Sequence, residues 1–343
     1  MVKINTIDID PPLLNSSCAW ASDKAQLREL YDSPYTGAIT TRTATLNGFG
    51  QDETHTVAFF ESKTTSINSY GYSPHPLRSY ISWVYDLLTN PTASGAWPAK
   101  PVLISITSSS STVLQEMVVE IEELRNRLHQ FHLAHSRPAV GIVNPATLIA
   151  IELNTSCPNI KDLPPPAYNF SFLVPFLDVL ASAYYSDPSL TIGLKLPPYL
   201  YYTRFQDVVR RLATYSRPKP DSDGVETLNP FAFVTCTNTL GSCLLFADQT
   251  GGGADSFALP TPLGGLGGEA LHPLALGNVY SFSKLFAEHQ DPAIRRIAII
   301  GVGGVTSCEA RQRMTRAGAS VVACATLLGQ QGVKAFELLT KDE

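Results

Sequence analysis

The chain has 343 residues, of which 44% are hydrophobic and 16% charged, a balance typical of a globular enzyme rather than a disordered or fibrous protein. The net charge of -5 comes without an obvious basic patch, which argues against nucleic acid or an anionic membrane as a partner. No secretion signal and no apolar run near 18 residues occurs, and the six cysteines form no CxxC pair, so we expect a cytoplasmic, reducing setting. The seven histidines do not cluster with these thiols at ligand spacing, so we expect no metal site.

Eight short, apolar and often β-branched runs alternate with longer helical patterns along the chain. The predicted strands are 37–43, 65–70, 101–107, 148–154, 191–196, 232–238, 297–303 and 320–326. Such runs are typical of parallel strands buried on both faces. Helical spacing of apolar residues predicts a helix over 111–135. A second helix is predicted over 306–319, with Thr306 as its cap, Glu309 three residues later and Gly318 at its end.

Eight strands with intervening helices predict one (β/α)8 TIM barrel over residues 1–343, with a doubly wound sheet as the alternative. The barrel is favoured because polar residues recur at strand ends, and all carboxyl ends of barrel strands face one site. These residues are Arg42, Asn68, Asn154, Lys195, Asn238 and Gly303. The loop-like segments 44–64 and 239–272 are too long for plain connections and predict lids or small hairpins over this C-terminal face. The polar segment 215–230 is predicted to be a surface loop.

Glycine-rich turns follow the last two predicted strands. Gly303 and Gly304 end one strand before a helix start, and Ala325 and Thr326 end the next. Backbone N–H groups in such turns can approach a phosphate, and barrels often bind phosphate after strands seven and eight. A plain tight turn is the alternative for either loop alone. A further glycine-rich stretch, 263–273, also favours a phosphate site.

Lys195 lies within an apolar strand, where a cation is costly to bury unless an anion meets it. A ligand that gains negative charge, such as a reduced flavin, would meet that need, and a structural ion pair is the alternative. The amides of Asn68, Asn154, Asn159 and Asn238 lie at strand ends and both donate and accept hydrogen bonds, which suits a cyclic imide or pyrimidine. They are otherwise ordinary turn or cap residues.

Cys157 is the candidate base. It follows Asn154, precedes Pro158 and is predicted to lie on a loop over the barrel mouth, where a thiolate could take a proton. A buried, inert thiol is the usual alternative for a cysteine.

Six motifs in order along nearly the whole chain resemble the dihydroorotate dehydrogenases, in particular the soluble class 1A group. They are TSINSYGY (65–72), ELNTSCPN (152–159), GLKLPPY (193–199), TCTNTLG (235–241), GGLGGEALHP (264–273) and IIGVGGV (299–305). The resemblance implies a barrel that holds FMN and oxidises (S)-dihydroorotate to orotate in pyrimidine biosynthesis, with fumarate as the electron acceptor, in a cytosolic homodimer. The class 1B enzymes, which pair with an iron–sulfur subunit and use NAD, are the alternative.

The resemblance also assigns roles to residues. Cys157 matches the base that removes a proton from the carbon next to the substrate carbonyl, while the adjacent carbon gives a hydride to flavin N5, and Lys195 matches the lysine that contacts the flavin. The positions implied for the substrate are Asn68, Asn154, Asn159, Asn238 and Thr239. Those implied for FMN are Ser17, Thr43, Asn154, Lys195, Gly267, Gly303, Gly304, Ala325 and Thr326.

The substrate side departs from the class 1A pattern. Arg42 replaces a lysine, and Tyr70 and Tyr72, either side of Gly71, replace Met and Leu against the substrate. The class 1A enzymes have a GNPxPR segment after the first barrel strand, and residues 47–60 of this chain lack it. These departures keep two alternatives open: a related flavin oxidoreductase or ene-reductase that acts on another cyclic amide or activated alkene, and a flavin-binding protein without turnover.

Overall fold

The computed structural model describes residues 1–61, 64–135, 143–156, 165–220, 226–253 and 256–341. The strands are β1 (Val2–Ile4), β2 (Ile7–Ile9), β3 (Leu13–Asn15), β4 (Ile39–Thr40), β5 (Val57–Phe59), β6 (Thr65–Asn68), β7 (Val102–Ile106), β8 (Ile149–Asn154), β9 (Thr191–Leu196), β10 (Arg217–Pro218), β11 (Thr227–Leu228), β12 (Phe231–Cys236), β13 (Leu240–Leu244), β14 (Leu263–Gly268), β15 (Ala298–Val302) and β16 (Val321–Cys324). The α-helices are α1 (Lys24–Asp32), α2 (Leu77–Thr89), α3 (Ser111–His135), α4 (Val174–Ser186), α5 (Tyr202–Ala213), α6 (His272–Ala287), α7 (Pro292–Arg295), α8 (Cys308–Arg316), α9 (Thr326–Gln331) and α10 (Lys334–Leu338). Short 3-10 helices lie at Ala19–Ala21, Pro145–Leu148, Pro166–Tyr168, Phe170–Leu173, Ala247–Thr250 and Glu269–Leu271.

Eight strands form one parallel sheet in the order β3-β16-β15-β12-β9-β8-β7-β4. Helices separate most of the consecutive strands along the chain and pack outside the sheet, so the predicted (β/α)8 barrel is confirmed. None of the helices in the described ranges is both long and apolar enough to cross a membrane.

The two end strands, β3 and β4, meet through a side chain. The Gly37 amide donates to the Leu13 carbonyl over 2.8 Å. Beyond it, the fully buried amide of Asn15 donates to the Thr40 carbonyl over 2.6 Å and accepts from the Thr40 amide over 2.9 Å. A carboxamide has the same donor and acceptor as a peptide group, so Asn15 substitutes for a stretch of strand ladder and closes the barrel.

The N-terminal end of the barrel is covered by the β1–β2 hairpin. Ile4, Ile7 and Ile9 of this hairpin pack into the interior cluster of the barrel and are almost fully buried. At the hairpin turn, Asn5 Nδ2 donates to the Leu190 carbonyl over 3.1 Å and Thr6 Oγ1 to the Thr147 carbonyl over 3.2 Å. Both carbonyls precede barrel strands, so the hairpin blocks this end and leaves the carboxyl ends of the strands for ligands.

A second, antiparallel sheet lies over the carboxyl ends, in the order β13-β14-β6-β5. The prediction that 65–70 is a barrel strand is wrong: this run forms β6 of the second sheet, and the missing barrel strand is β3. Strand β3 has three residues, too few to show a periodic pattern. A Cβ at Gly264 would lie 2.6 Å from the Asn68 carbonyl oxygen, so the glycines of β14 let the two strands approach. The predicted hairpins over the C-terminal face are therefore present.

Two smaller expectations also change. The helix predicted over 306–319 begins at Cys308, and Ser307 rather than Thr306 caps it, because Ser307 Oγ accepts from the Ala310 amide over 3.2 Å. Within 215–230, predicted to be a loop, β10 and β11 form a two-residue antiparallel ladder. The helix predicted over 111–135 is confirmed as α3.

Candidate active site

A cleft of about 1010 Å³, measured to its open mouth, lies between the carboxyl ends of the barrel strands and the second sheet. Every predicted site residue within the described ranges lines it: Ser17, Arg42, Thr43, Asn68, Tyr70, Gly71, Tyr72, Asn154, Lys195, Asn238, Thr239, Gly267, Gly303, Gly304, Ala325 and Thr326. Cys157 and Asn159 lie outside the described residues, so the roles of these two stay predictions.

Lys195 reaches the cleft from β9 and is 5% exposed. Its Nζ donates to Ser16 Oγ over 3.0 Å and to the Ser17 carbonyl over 3.2 Å. Both partners are neutral, so within the described residues the ammonium makes no ion pair, and the alternative of a structural ion pair finds no support there. An ammonium has three donors, so one hydrogen remains for a ligand in the cleft.

The amides of Asn154 and Asn238 form a fixed pair across β8 and the end of β12. Asn238 Nδ2 donates to Asn154 Oδ1 over 3.3 Å and to Ser156 Oγ over 3.1 Å. Asn154 Nδ2 donates to Thr43 Oγ1 over 3.0 Å. These bonds orient both carboxamides, so their remaining donor and acceptor positions are set before a ligand enters.

Two turns at the ends of β15 and β16 form the glycine-rich side of the cleft. Gly303 and Gly304 have φ values of 130° and 65°, and a Cβ at Gly304 would lie 2.5 Å from His272 Cβ. Glycine is therefore required there by conformation and by space. Ala325 has φ of -134°, outside the left-handed region, so the backbone at this second turn does not require glycine.

His272 supports this turn as a neutral ring. Its Nδ1 lies 2.8 Å from the Gly303 carbonyl oxygen, and its Nε2 accepts from Arg313 Nε over 3.3 Å. Burial, assisted by the Arg313 charge, lowers the pKa of His272 below its ordinary value, although the bond to Gly303 opposes that shift. The positive charge beside this turn is therefore the guanidinium of Arg313 in α8, 41 residues further along the chain than His272.

The side of the cleft that is predicted to face the substrate is aromatic and contains a cation, Arg42. Arg42 is 5% exposed; its Nη1 donates to Ser22 Oγ over 3.2 Å and its Nη2 to Gln51 Oε1 over 3.1 Å. The guanidinium carbon lies 5.3 Å from the centroid of the Tyr70 ring. Burial raises the pKa of Tyr70, so its hydroxyl stays protonated at neutral pH. The cleft therefore offers a positioned guanidinium beside a neutral phenol.

Several cleft residues were missed by sequence reasoning. They are Ser16, Cys18, Trp20, Ser66, Thr237, Gly268 and Cys324. Ser16 and Thr237 each adjoin a predicted residue, and this adjacency was the available signal. Burial raises the pKa of Cys18 to about 11 and that of Cys324 further, so both thiols stay protonated at neutral pH and neither is a base. Across the ranges described, no three His, Cys, Asp or Glu side chains are arranged to hold a metal ion.

The fold and this cleft define a (β/α)8-barrel enzyme with its site at the carboxyl ends of the strands. The family described as dihydroorotate dehydrogenase matches residues 1–342, and the chain belongs to that family. Enzymes of this family are flavoproteins and oxidoreductases that act on CH–CH bonds.

The relatives of this chain include two that match across nearly its whole length. A protein of Streptococcus pyogenes serotype M18 (strain MGAS8232), with the provisional name dihydroorotate dehydrogenase A (fumarate), is 28% identical over 344 residues, which is 99% of this chain and 90% of the relative. A protein of Streptococcus agalactiae serotype Ia with the same provisional name is 26% identical over 346 residues, covering 100% of this chain and 93% of the relative.

Proposed function

We propose that this chain oxidises (S)-dihydroorotate to orotate with FMN as cofactor and fumarate as electron acceptor, as a cytoplasmic homodimer in pyrimidine biosynthesis. The observation that carries the proposal is the convergence of the buried Lys195 ammonium and the Asn154–Asn238 amide pair in one cleft with the Gly303–Gly304 turn. Together they offer a cation, ring-edge hydrogen bonds and an anion cradle. The fumarate acceptor is supported by the provisional names of the two streptococcal relatives.

The residues present fit FMN. Thr237 lines the cleft, and its Oγ1 is buried without a hydrogen-bond partner within the described residues, as expected of a polar atom that a bound ligand satisfies. Gly303 and Gly304 both have positive φ and line the cleft, and backbone N–H groups in such a turn can bind a phosphate. Bound FMN would supply the hydride acceptor at flavin N5 and carry negative charge when reduced, and the Lys195 ammonium would balance that charge.

The remaining chemistry is assigned to side chains. We assign Cys157 as the base that takes the proton from the carbon next to the substrate carbonyl, so that loss of this proton and of a hydride from the neighbouring carbon leaves a C=C bond. Asn154 and Asn238 would hold the pyrimidine ring by its N–H and C=O groups. Arg42 is planar and permanently charged, which suits the substrate carboxylate.

The aromatic substrate side supports a second candidate. Tyr70, Tyr72 and Trp20 line the cleft beside Arg42. Such a surface also suits another cyclic amide or an activated alkene, on which the same flavin chemistry would run as an oxidase or an ene-reductase.

An anaerobic titration of the purified holoenzyme tests both candidates. Stoichiometric bleaching of the flavin absorbance by L-dihydroorotate, with return of the colour on adding fumarate, is the expected result. Bleaching by other cyclic amides and not by dihydroorotate would replace the first candidate with the second. A colourless protein that takes up no FMN would refute both.

A further inference from the structure

A chain of hydroxyl groups joins the cleft to a carboxylate inside the barrel. Ser17 Oγ lies 2.9 Å from Thr43 Oγ1, which lies 3.0 Å from Ser105 Oγ, which donates to Glu152 Oε1 over 3.1 Å. Glu152 is 2% exposed, and its second oxygen accepts from Thr235 Oγ1 over 2.7 Å. None of the roles assigned above uses Glu152, although it is a buried ionisable side chain two residues before Asn154.

Counting hydrogens fixes the direction of this chain. A carboxylate only accepts, so the single hydroxyl hydrogens of Ser105 and Thr235 both point to Glu152. The Thr43 hydrogen must then point to Ser105, and the Ser17 hydrogen to Thr43. Asn154 Nδ2 supplies the second hydrogen that Thr43 accepts, which fills both of its lone pairs. Ser17 Oγ therefore has no hydrogen to donate into the cleft that it lines and can only accept a hydrogen bond there.

We infer that Glu152 is a positioning residue that acts through the Ser105–Thr43–Ser17 chain and makes Ser17 a hydrogen-bond acceptor for an N–H of the bound flavin ring. The inference rests on the proposed function, because the flavin is the partner. Thr43, Ser105 and Glu152 are buried, so these inner groups satisfy their hydrogen bonds through one another rather than through water, and Ser17 is half-buried at the cleft.

Glu152→Gln reverses the chain. Thr235 is 1% exposed, and Glu152 is its only side-chain hydrogen-bond acceptor within the described residues, so the amide oxygen of the glutamine stays with Thr235. The amide NH₂ then donates to Ser105, Ser105 to Thr43, and Thr43 to Ser17. The Ser17 hydrogen is thereby directed into the cleft, where it meets the N–H of the flavin as a second donor.

The test is a double-mutant cycle of Glu152→Gln and Ser17→Ala, read out by the dissociation constant of FMN and by the midpoint potential of the bound flavin. We expect Glu152→Gln to weaken FMN binding by about tenfold or more, the scale of a buried donor without an acceptor. In the Ser17→Ala background, Glu152→Gln is expected to change neither readout.

Thr235→Val is the matched control, because it removes the other donor to Glu152 and leaves the direction of the chain unchanged. It should leave the dissociation constant of FMN as in the wild type. If Glu152→Gln does not fold, Ser105→Ala carries the same test: Thr43 loses its acceptor, donates to Ser17, and again turns the Ser17 hydrogen into the cleft.

Equal effects of Glu152→Gln with and without the Ser17 hydroxyl would overturn the inference, since Glu152 would then act on the fold alone. No effect of Glu152→Gln in the wild-type background would overturn it as well. A wild-type protein that binds no FMN would instead refute the proposed function along with it, so the wild-type titration separates the two failures.

Discussion

Replacing Lys195 by methionine should slow flavin reduction while changing the stability of the fold little. In the folded protein the substitution removes donors from Ser16 Oγ and from the Ser17 carbonyl, each bond to a charged group contributing roughly 1.5–3 kcal/mol. It also removes the penalty of burying an ammonium that is 5% exposed, which is several kcal/mol. These two contributions oppose each other, so the free energy of unfolding should stay close to that of the wild type.

The rate of flavin reduction should fall, because the lost charge is not replaced by another favourable contact. Lys195 provides a buried positive charge that has no ionic partner within the described residues, and loss of one such electrostatic contact to developing charge typically costs about 10²–10³ in rate. The assay is anaerobic stopped-flow reduction by dihydroorotate at saturating FMN, alongside urea unfolding of the same preparations.

Lys100→Met is the control for loss of a hydrogen-bonded, half-buried lysine. Lys100 Nζ donates to the Tyr31 and Ser33 carbonyls and to Thr36 Oγ1 over 2.6–2.8 Å, outside the cleft. Lys100 makes three such bonds and is only half-buried, so the lost bonds outweigh the burial penalty and its replacement should lower the urea midpoint. Flavin reduction should be unchanged. A Lys195→Met protein that is reduced at the wild-type rate would refute the assignment, as would a Lys100→Met protein that is equally slowed.

Three further changes test other parts of the site. Cys157→Ala should slow flavin reduction by about 10²–10⁴-fold, as expected for loss of a general base, and an unchanged rate in stopped flow would remove that role. Gly304→Ala places a methyl group 2.5 Å from His272 Cβ and 2.7 Å from the Gly268 carbonyl oxygen at φ 65°, so the purified protein should lack flavin absorbance. Gly277→Ala, in α6 with no atom within 4 Å of the new methyl group, should keep it. Because burial lowers the pKa of His272, the unfolded chain binds this proton more readily, and stability is lost as pH falls below about 6.5. The urea midpoint of His272→Asn should therefore fall less between pH 7 and pH 5 than that of the wild type, and equal slopes would contradict this reasoning.

The barrel could be predicted from the sequence because seven of its strands are buried on both faces and read as apolar runs. Strand β3 was missed because LLN is only three residues long, and β6 was misplaced because TSIN has the composition of a barrel strand. Whether β6 joins the barrel or the antiparallel sheet depends on the strand that pairs with it, which is the glycine-rich β14. That pairing joins residues about 200 positions apart and is not encoded in any local window.

The cleft was predictable to the extent that polar residues at strand ends face one point. That rule located Lys195, Asn154 and Asn238. The rule did not find Glu152, because this residue lies within β8 and not at its end. The alternation of side chains along a strand predicts only that Glu152 points into the barrel, and it does not explain a carboxylate there. The contact between Arg313 and His272 could not be predicted either, because the two residues are 41 positions apart in the sequence and only the fold brings them together.

The closure of the barrel by Asn15 makes one seam of the wall different from the other seven. Opening this seam breaks the two hydrogen bonds of the Asn15 carboxamide and the Gly37–Leu13 bond rather than a full ladder. The Thr40 amide hydrogen should therefore exchange with solvent earlier than the amide hydrogens that join β8 and β9. Thr43 and Ser17 lie three and two residues beyond this seam, one from each strand, and they hydrogen-bond to each other across it. A ligand that holds both residues would tie the two edges together, so the exchange rate of a single amide would report whether the cleft is occupied.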